Sequence, residues 1–152
     1  MKKIELVPVG FVANSVKETV DDNWGSVVSR LNIEPQFARG IRHLDQFSHA
    51  IIITYLHHSR FDPAKDLVRR PRGLGSMPEV GIFSQRAKDR PNPIGITTVK
   101  IVAVGDNYVD VRGLDAIDGT PIVDIKPYYL QFDSVPSAKT PPWVDELMKN
   151  YF

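Results

Sequence analysis

Apolar and polar positions alternate over several short stretches of this chain, which predicts strands more than helices. Glu5 to Val12 reads as one strand and Val27 to Ile33 as a second. Ser48 to His57 is rich in β-branched and aromatic residues and reads as a buried strand. Ile96 to Val104 and Tyr108 to Gly113 alternate on either side of Gly105-Asp106-Asn107, a hairpin signal. Thr120 to Tyr129 adds a further strand pair or strand and loop, and Val80 to Phe83 a short apolar strand. Pro35 to Ile41 fits a short helix, with Pro35 suited to its first turn. Trp143, Leu147 and Tyr151 recur at four-residue steps and predict a C-terminal amphipathic helix packed on the body. Residues 59–78 hold Pro63, Pro71, Pro78, Gly73 and Gly75 and read as a long loop, a feature that in compact domains is either functional or disordered. With few helices available as crossovers, the pattern predicts a mostly β fold: a single closed or nearly closed antiparallel β-barrel with short helices.

Composition narrows the class without naming a chemistry. The 152 residues suit one domain, with residues 1–140 forming the barrel and 141–152 a helix on the same body. The absence of cysteine removes disulfides and thiolate zinc sites and fits a cytoplasmic protein. No apolar run is long enough for a signal peptide or for a membrane span of roughly 20 residues. The net charge of +1 hides an asymmetry. Arg69, Arg70, Arg72, Arg86, Lys88 and Arg90 face only Glu79 and Asp89 within the same stretch, whereas acidic residues gather between Asp106 and Asp124. A basic patch on a near-neutral chain points to a polyanion; a solvated loop is the plainer alternative.

Two stretches carry candidate chemistry. In the first, Arg86 and Arg90 stand four residues apart before Pro91-Asn92-Pro93-Ile94-Gly95. The prolines stiffen the backbone beside two guanidinium groups, as a site that holds an anion in a set position requires. In the second, Leu114 to Tyr128, Asp118-Gly119 marks a tight turn, and Asp124 and Lys126 sit on one strand face where they can pair with each other. Asp115 lies between apolar Leu114 and Ala116, where a carboxylate needs a cationic or hydrogen-bonding partner. His57 and His58 are adjacent and, on a strand, point to opposite faces, so no shared metal site is expected. Gly73-Leu74-Gly75 begins like a dinucleotide loop, but Pro78 takes the third glycine position.

Together, Arg86…Arg90-Pro91-Asn92-Pro93-Ile94-Gly95 and Asp118 to Tyr128 resemble the two signature stretches of the TsaA-like family, also called YaeB-like or VirR-like, which includes the tRNA methyltransferase O enzymes. Gly40 to His49 is similar to the family's Arg-Gly-Leu-Glu-x-Phe-Ser-His stretch, and Arg70-Pro71-Arg72 before Val80-Gly81-Ile82-Phe83 also fits. The likeness spans roughly residues 6–130. It implies a β-barrel that binds S-adenosylmethionine, as a homodimer with the cofactor near the subunit interface, and N6-methylation of threonylcarbamoyladenosine beside the tRNA anticodon. The matching cofactor-facing positions are Asn23, Trp24, Gly25, His57, His58, Arg86, Ile96, Leu114, Asp115, Ala116 and Asp118. Trp24-Gly25 stands where the family has Pro-Gly. Arg69, Arg70, Arg72, Lys88, Arg90 and Asn92 are then expected to meet the tRNA anticodon arm, and His57, His58 or Asp118 to serve as base. Many bacterial members carry a further C-terminal domain, so a smaller or dimer-built tRNA surface is expected here. A regulatory module that binds S-adenosylmethionine without turnover, or a methyltransferase with another acceptor, are the alternatives.

Overall fold

A computed structural model describes residues 2–152, so Met1 of the expected N-terminal segment lies outside the described residues. The barrel strands are β1 (Gly10–Ala13), β2 (Val28–Ile33), β3 (His49–Tyr55), β6 (Ile94–Val104), β7 (Tyr108–Arg112) and β8 (Pro121–Pro127). They close in the order β1-β2-β7-β6-β3-β8, with every neighbour antiparallel. A separate ribbon pairs β4 (Val68–Arg69) with β5 (Val80–Gly81). Inward positions repeat every second residue, as a half-buried strand dictates. In β2 Leu31 and Ile33 are buried, in β3 Ala50 and Ile52, and in β7 Val109 and Val111; with Val12, Val99, Leu114 and Ile122 they form one apolar core.

The barrel bears out the sequence reading, and its edges correct it. The first strand is limited to Gly10–Ala13; Glu5 to Val7 are exposed, while Val9 donates a backbone bond to the Ile122 carbonyl and accepts one from the Glu34 amide. The expected short helix forms over Pro35–Ile41, as a 3-10 helix. The loop 59–78 is ordered, with α1 (Pro63–Asp66) capped by the Asp62 side chain, which accepts from the Ala64 amide at 3.0 Å. The helix α2 (Leu130–Asp133) follows β8. The helix α3 (Pro142–Met148) half-buries Trp143, Val144 and Leu147 but ends before Tyr151, which the four-residue spacing placed on it. Among the described residues no helix is long and apolar enough to cross a membrane.

Candidate functional site

The start of β6 organises the site. Ile94 and Gly95 pair with Tyr55 and Thr54 at the end of β3, so the His57-His58 turn sits beside the Pro91-Asn92-Pro93 corner. The Leu56 amide donates to the Pro93 carbonyl at 2.7 Å, and Ser59 Oγ donates to the Lys88 carbonyl at 2.7 Å. One residue further along β6, the guanidinium of Arg86 donates to the Ile96 carbonyl. At the next, Thr97 Oγ1 donates to Asp115 Oδ1. Arg86 and Asp115 therefore meet the barrel through consecutive residues of one strand, and the two sequence stretches converge on one end.

The 114–118 segment is set by buried neighbours and a polar hub. Leu114 and Ala116, both expected to face the cofactor, are buried in the core, so only their backbone is left to meet a bound group. Asn14 Nδ2 donates to Ser29 Oγ at 2.9 Å and to the Ala116 carbonyl at 2.8 Å, and the Asn14 amide donates to Asp118 Oδ1 at 3.0 Å. Asp118 is turned to Lys17, whose ammonium holds its carboxyl below the usual carboxylate range together with the Asn14 amide. Asp124 pairs with Lys126 at 2.8 Å, as the strand alternation anticipated. Asp115 accepts from Thr97 and, through Oδ2, from the Tyr151 hydroxyl at 2.6 Å.

Tyr151 belongs to a segment laid over the predicted cofactor wall. The Asn23 and Trp24 amides donate to the carbonyls of Asn150 and Tyr151, both at 2.8 Å. Asn23 adopts a left-handed backbone, φ 60. Gly25 has no room for a side chain: a Cβ there would lie 2.7 Å from the Phe152 backbone. Trp24 is only 1% exposed and its Nε1 donates to the Val20 carbonyl at 3.1 Å, so its ring supports the wall and offers no open stacking face. Phe83, by contrast, is 80% exposed.

The histidine pair departs from the alternation argument. The strand stops at Tyr55, and in the turn beyond it the two rings lie 4.2 Å apart, centroid to centroid, on the same side. Burial, and then the neighbouring His58, lower the pKa of His57 below its ordinary 6.5. No cluster of three metal-ligating side chains occurs among the described residues.

The basic patch divides into two kinds of cation. Arg69 pairs with Asp66 at 3.1 Å, Lys88 with Asp89 at 2.9 Å, and Arg72 with Asp21 at 3.8 Å. Arg70, Arg86 and Arg90 instead donate to the carbonyls of Met77, Ile96 and Gln85, which fixes each guanidinium without neutralising it. Asn92 is exposed at the tip of the proline corner. Two shallow clefts lie elsewhere on the barrel: one of about 200 Å³ is lined by residues 40–44, Gln46, Phe47, Ile125 and Pro127, and one of about 410 Å³ lies beside Val104, Gly105 and Asp106 at the far end of β6.

Sequence reasoning missed Asn14, Thr97 and the placement of Tyr151. Asn14 follows β1 directly, where an asparagine favours a turn, and that was a usable signal. Thr97 sits within an alternating strand and Tyr151 within an apolar repeat, so neither carries a polar cue of its own.

The family model described as the tRNA-methyltransferase O N-terminal domain matches residues 22–134, which include the β6 corner and the Asp115 segment. The chain belongs to this family. A relative from Methanothermobacter thermautotrophicus, "Probable S-adenosyl-L-methionine-binding protein", is 35% identical over 137 residues, covering 88% of this chain and 96% of its own length. The human "tRNA (adenine(37)-N6)-methyltransferase" is 39% identical over 98 residues, 64% of this chain, which spans 22% of the human protein. A solved structure, "Crystal structure of TrmO from P. areuginosa", superposes with a TM-score of 0.76 over 94% of this chain and 62% of that one at 23% identity, and shares the barrel. Thr97 and Asp115 lie inside the tRNA-methyltransferase O match; Tyr151 lies outside it.

Proposed function

We propose that this chain binds S-adenosylmethionine at the start of β6 and methylates N6 of the adenine at position 37 of tRNA, with threonylcarbamoyladenosine as acceptor. The carrying observation is the meeting of Arg86 and Asp115 on consecutive β6 residues. The cofactor combines a sulfonium and an ammonium with a carboxylate. Asp115, which has two hydroxyl donors and no cation within 4.0 Å among the described residues, suits the positive groups; the carbonyl-anchored guanidinium of Arg86 suits the carboxylate. When bound, the cofactor supplies an electrophilic methyl group. The residues around it have to align donor and acceptor at about 3 Å and exclude water.

The acceptor nitrogen is amide-like and must lose its proton. His57 suits that task better than Asp118, because its lowered pKa keeps the imidazole neutral near pH 7, whereas Asp118 is engaged by Lys17. Arg70 and Arg90 suit the phosphates of the anticodon arm or the threonyl carboxylate. Exposed Phe83, Ile96, Leu67 and Val68 lie near this end of the barrel and suit a second copy of the chain, which would deepen an otherwise open site.

The test pairs two measurements. Calorimetry should detect S-adenosylmethionine binding, and a methylation assay should give product on tRNA carrying the threonylcarbamoyl group and none on unmodified tRNA. Binding with no methylation of either tRNA would support a second reading, a non-catalytic sensor, which the names of the archaeal relatives favour.

A further inference from the structure

We propose that Tyr151 is a positioning residue for the cationic group of the ligand, acting through Asp115. This rests on the S-adenosylmethionine reading above and adds to it a residue that lies beyond the matched family domain.

Asp115 is held by two hydroxyl groups. Its Oδ1 accepts from Thr97 and its Oδ2 from Tyr151 at 2.6 Å, while the flanking Leu114 and Ala116 are buried. A carboxylate offers about four acceptor sites, so two hydroxyl bonds fix its plane and leave about half of its capacity open. Neither donor carries charge. Several exposed aspartates have no cationic neighbour, but among the described aspartates that are buried or half-buried, Asp62, Asp66, Asp89, Asp110, Asp118 and Asp124 all have a Lys or Arg within 4.0 Å and Asp115 has none. The barrel mouth therefore holds an oriented negative charge with no counter-ion of its own.

Tyr151 is built to remain a neutral donor. Burial and the nearby negative charge of Asp115 push its phenol well above its ordinary pKa of 10. Its backbone is tied to Trp24, and the Arg72 guanidinium lies 5.5 Å from the ring centroid while facing Asp21. The hydroxyl is thus held from the backbone side and from the ring face. A side chain meant only to fill the mouth would not need that phenol aimed at the carboxylate.

Calorimetry on the full chain tests this with four proteins: the parent, Tyr151→Phe, Asp115→Asn and the double variant. The parent should bind S-adenosylmethionine and Tyr151→Phe should bind about tenfold more weakly, the usual effect of losing a hydrogen bond to a charged group. In the Asp115→Asn background the Tyr151→Phe change should cost little more, because the two act as one unit. S-adenosylhomocysteine lacks the sulfonium charge. An equal loss for it assigns the ammonium as the group facing Asp115; a loss confined to S-adenosylmethionine assigns the sulfonium. Unchanged affinity in Tyr151→Phe, or a tenfold loss that persists in the Asp115→Asn background, overturns the proposal. So does a Tyr151→Phe chain that fails to fold, which would make the tyrosine structural. A parent that binds no S-adenosylmethionine overturns the underlying reading, and the proposal with it, whatever the variants do.

Discussion

A guanidinium bonded to a carbonyl keeps its full charge while giving up its mobility, and Arg86 is in that state against Ile96. Replacing it removes a structural bond and the proposed ligand contact, and the two effects differ in size. Arg86→Ala should lower stability by only about 1 kcal/mol, the net worth of one hydrogen bond. Its S-adenosylmethionine affinity should fall by at least about tenfold, since a charge-assisted contact is lost. Thermal unfolding and calorimetry on the same samples separate the two. His57 gives a second residue-level outcome. Its folded pKa lies below the ordinary 6.5, so the unfolded chain binds more protons in the interval between the two values. Stability should therefore fall as pH drops below about 6.5 and level off beneath the folded value. A His57→Gln variant should lose that portion of the pH dependence in urea titrations run from pH 8 to 5.

Among the elements, the segment 150–152 and the strip Asn23–Gly25 form a contact that depends on the missing side chain of Gly25. Gly25→Ala would set a methyl 2.7 Å from the Phe152 backbone, so the segment must shift and carry the Tyr151 hydroxyl off Asp115. The expected result is weaker S-adenosylmethionine binding with the barrel intact, seen as reduced calorimetric affinity and an unchanged far-ultraviolet spectrum. This contact was illegible in the sequence for a physical reason. Tyr151 continues the spacing of Trp143 and Leu147, and periodicity cannot tell that α3 stops at Met148. The barrel strands were legible because each buries one face and alternates accordingly: β2, β3, β6 and β7 lie within two residues of their expected limits. Of the candidate site, Arg86 and Asp115 could be named from their neighbours in sequence, while His57 and His58 came through the family resemblance and their turn was read as strand. The partners of the 115–118 segment are set by the fold: Asn14 reaches Ala116 and Asp118 across more than 100 residues, and Thr97 faces Asp115 from β6.

For the molecule as a whole, the charge on the Arg69–Arg90 face is smaller than a count of cations suggests. Arg69 and Lys88 are neutralised by carboxylates, while Arg70 and Arg90 are not. If this face grips tRNA phosphates, affinity should drop steeply from low to moderate salt, as counterion release requires. Arg70→Ala and Arg90→Ala should each make that dependence shallower, and Lys88→Ala much less so; filter binding across a salt series reads all three. A salt-independent affinity would remove the patch from the tRNA surface.

The barrel is also unevenly sewn. Between β1 and β8 two pairs are in register, Gly10–Ile122 and Phe11–Pro121, flanked by backbone bonds that join Val9 to Ile122 and Val12 to Gly119 and Thr120, whereas β3 and β6 match over seven consecutive pairs from His49–Lys100 to Tyr55–Ile94. Opening of the native state should begin where the stitching is shortest. Deuterium uptake at the backbone amides of Gly10 to Ala13 should run well ahead of that at Ile51 to Ile53, so the cylinder unrolls from its first strand while the β3–β6 spine beneath the proposed site is the last part to let go.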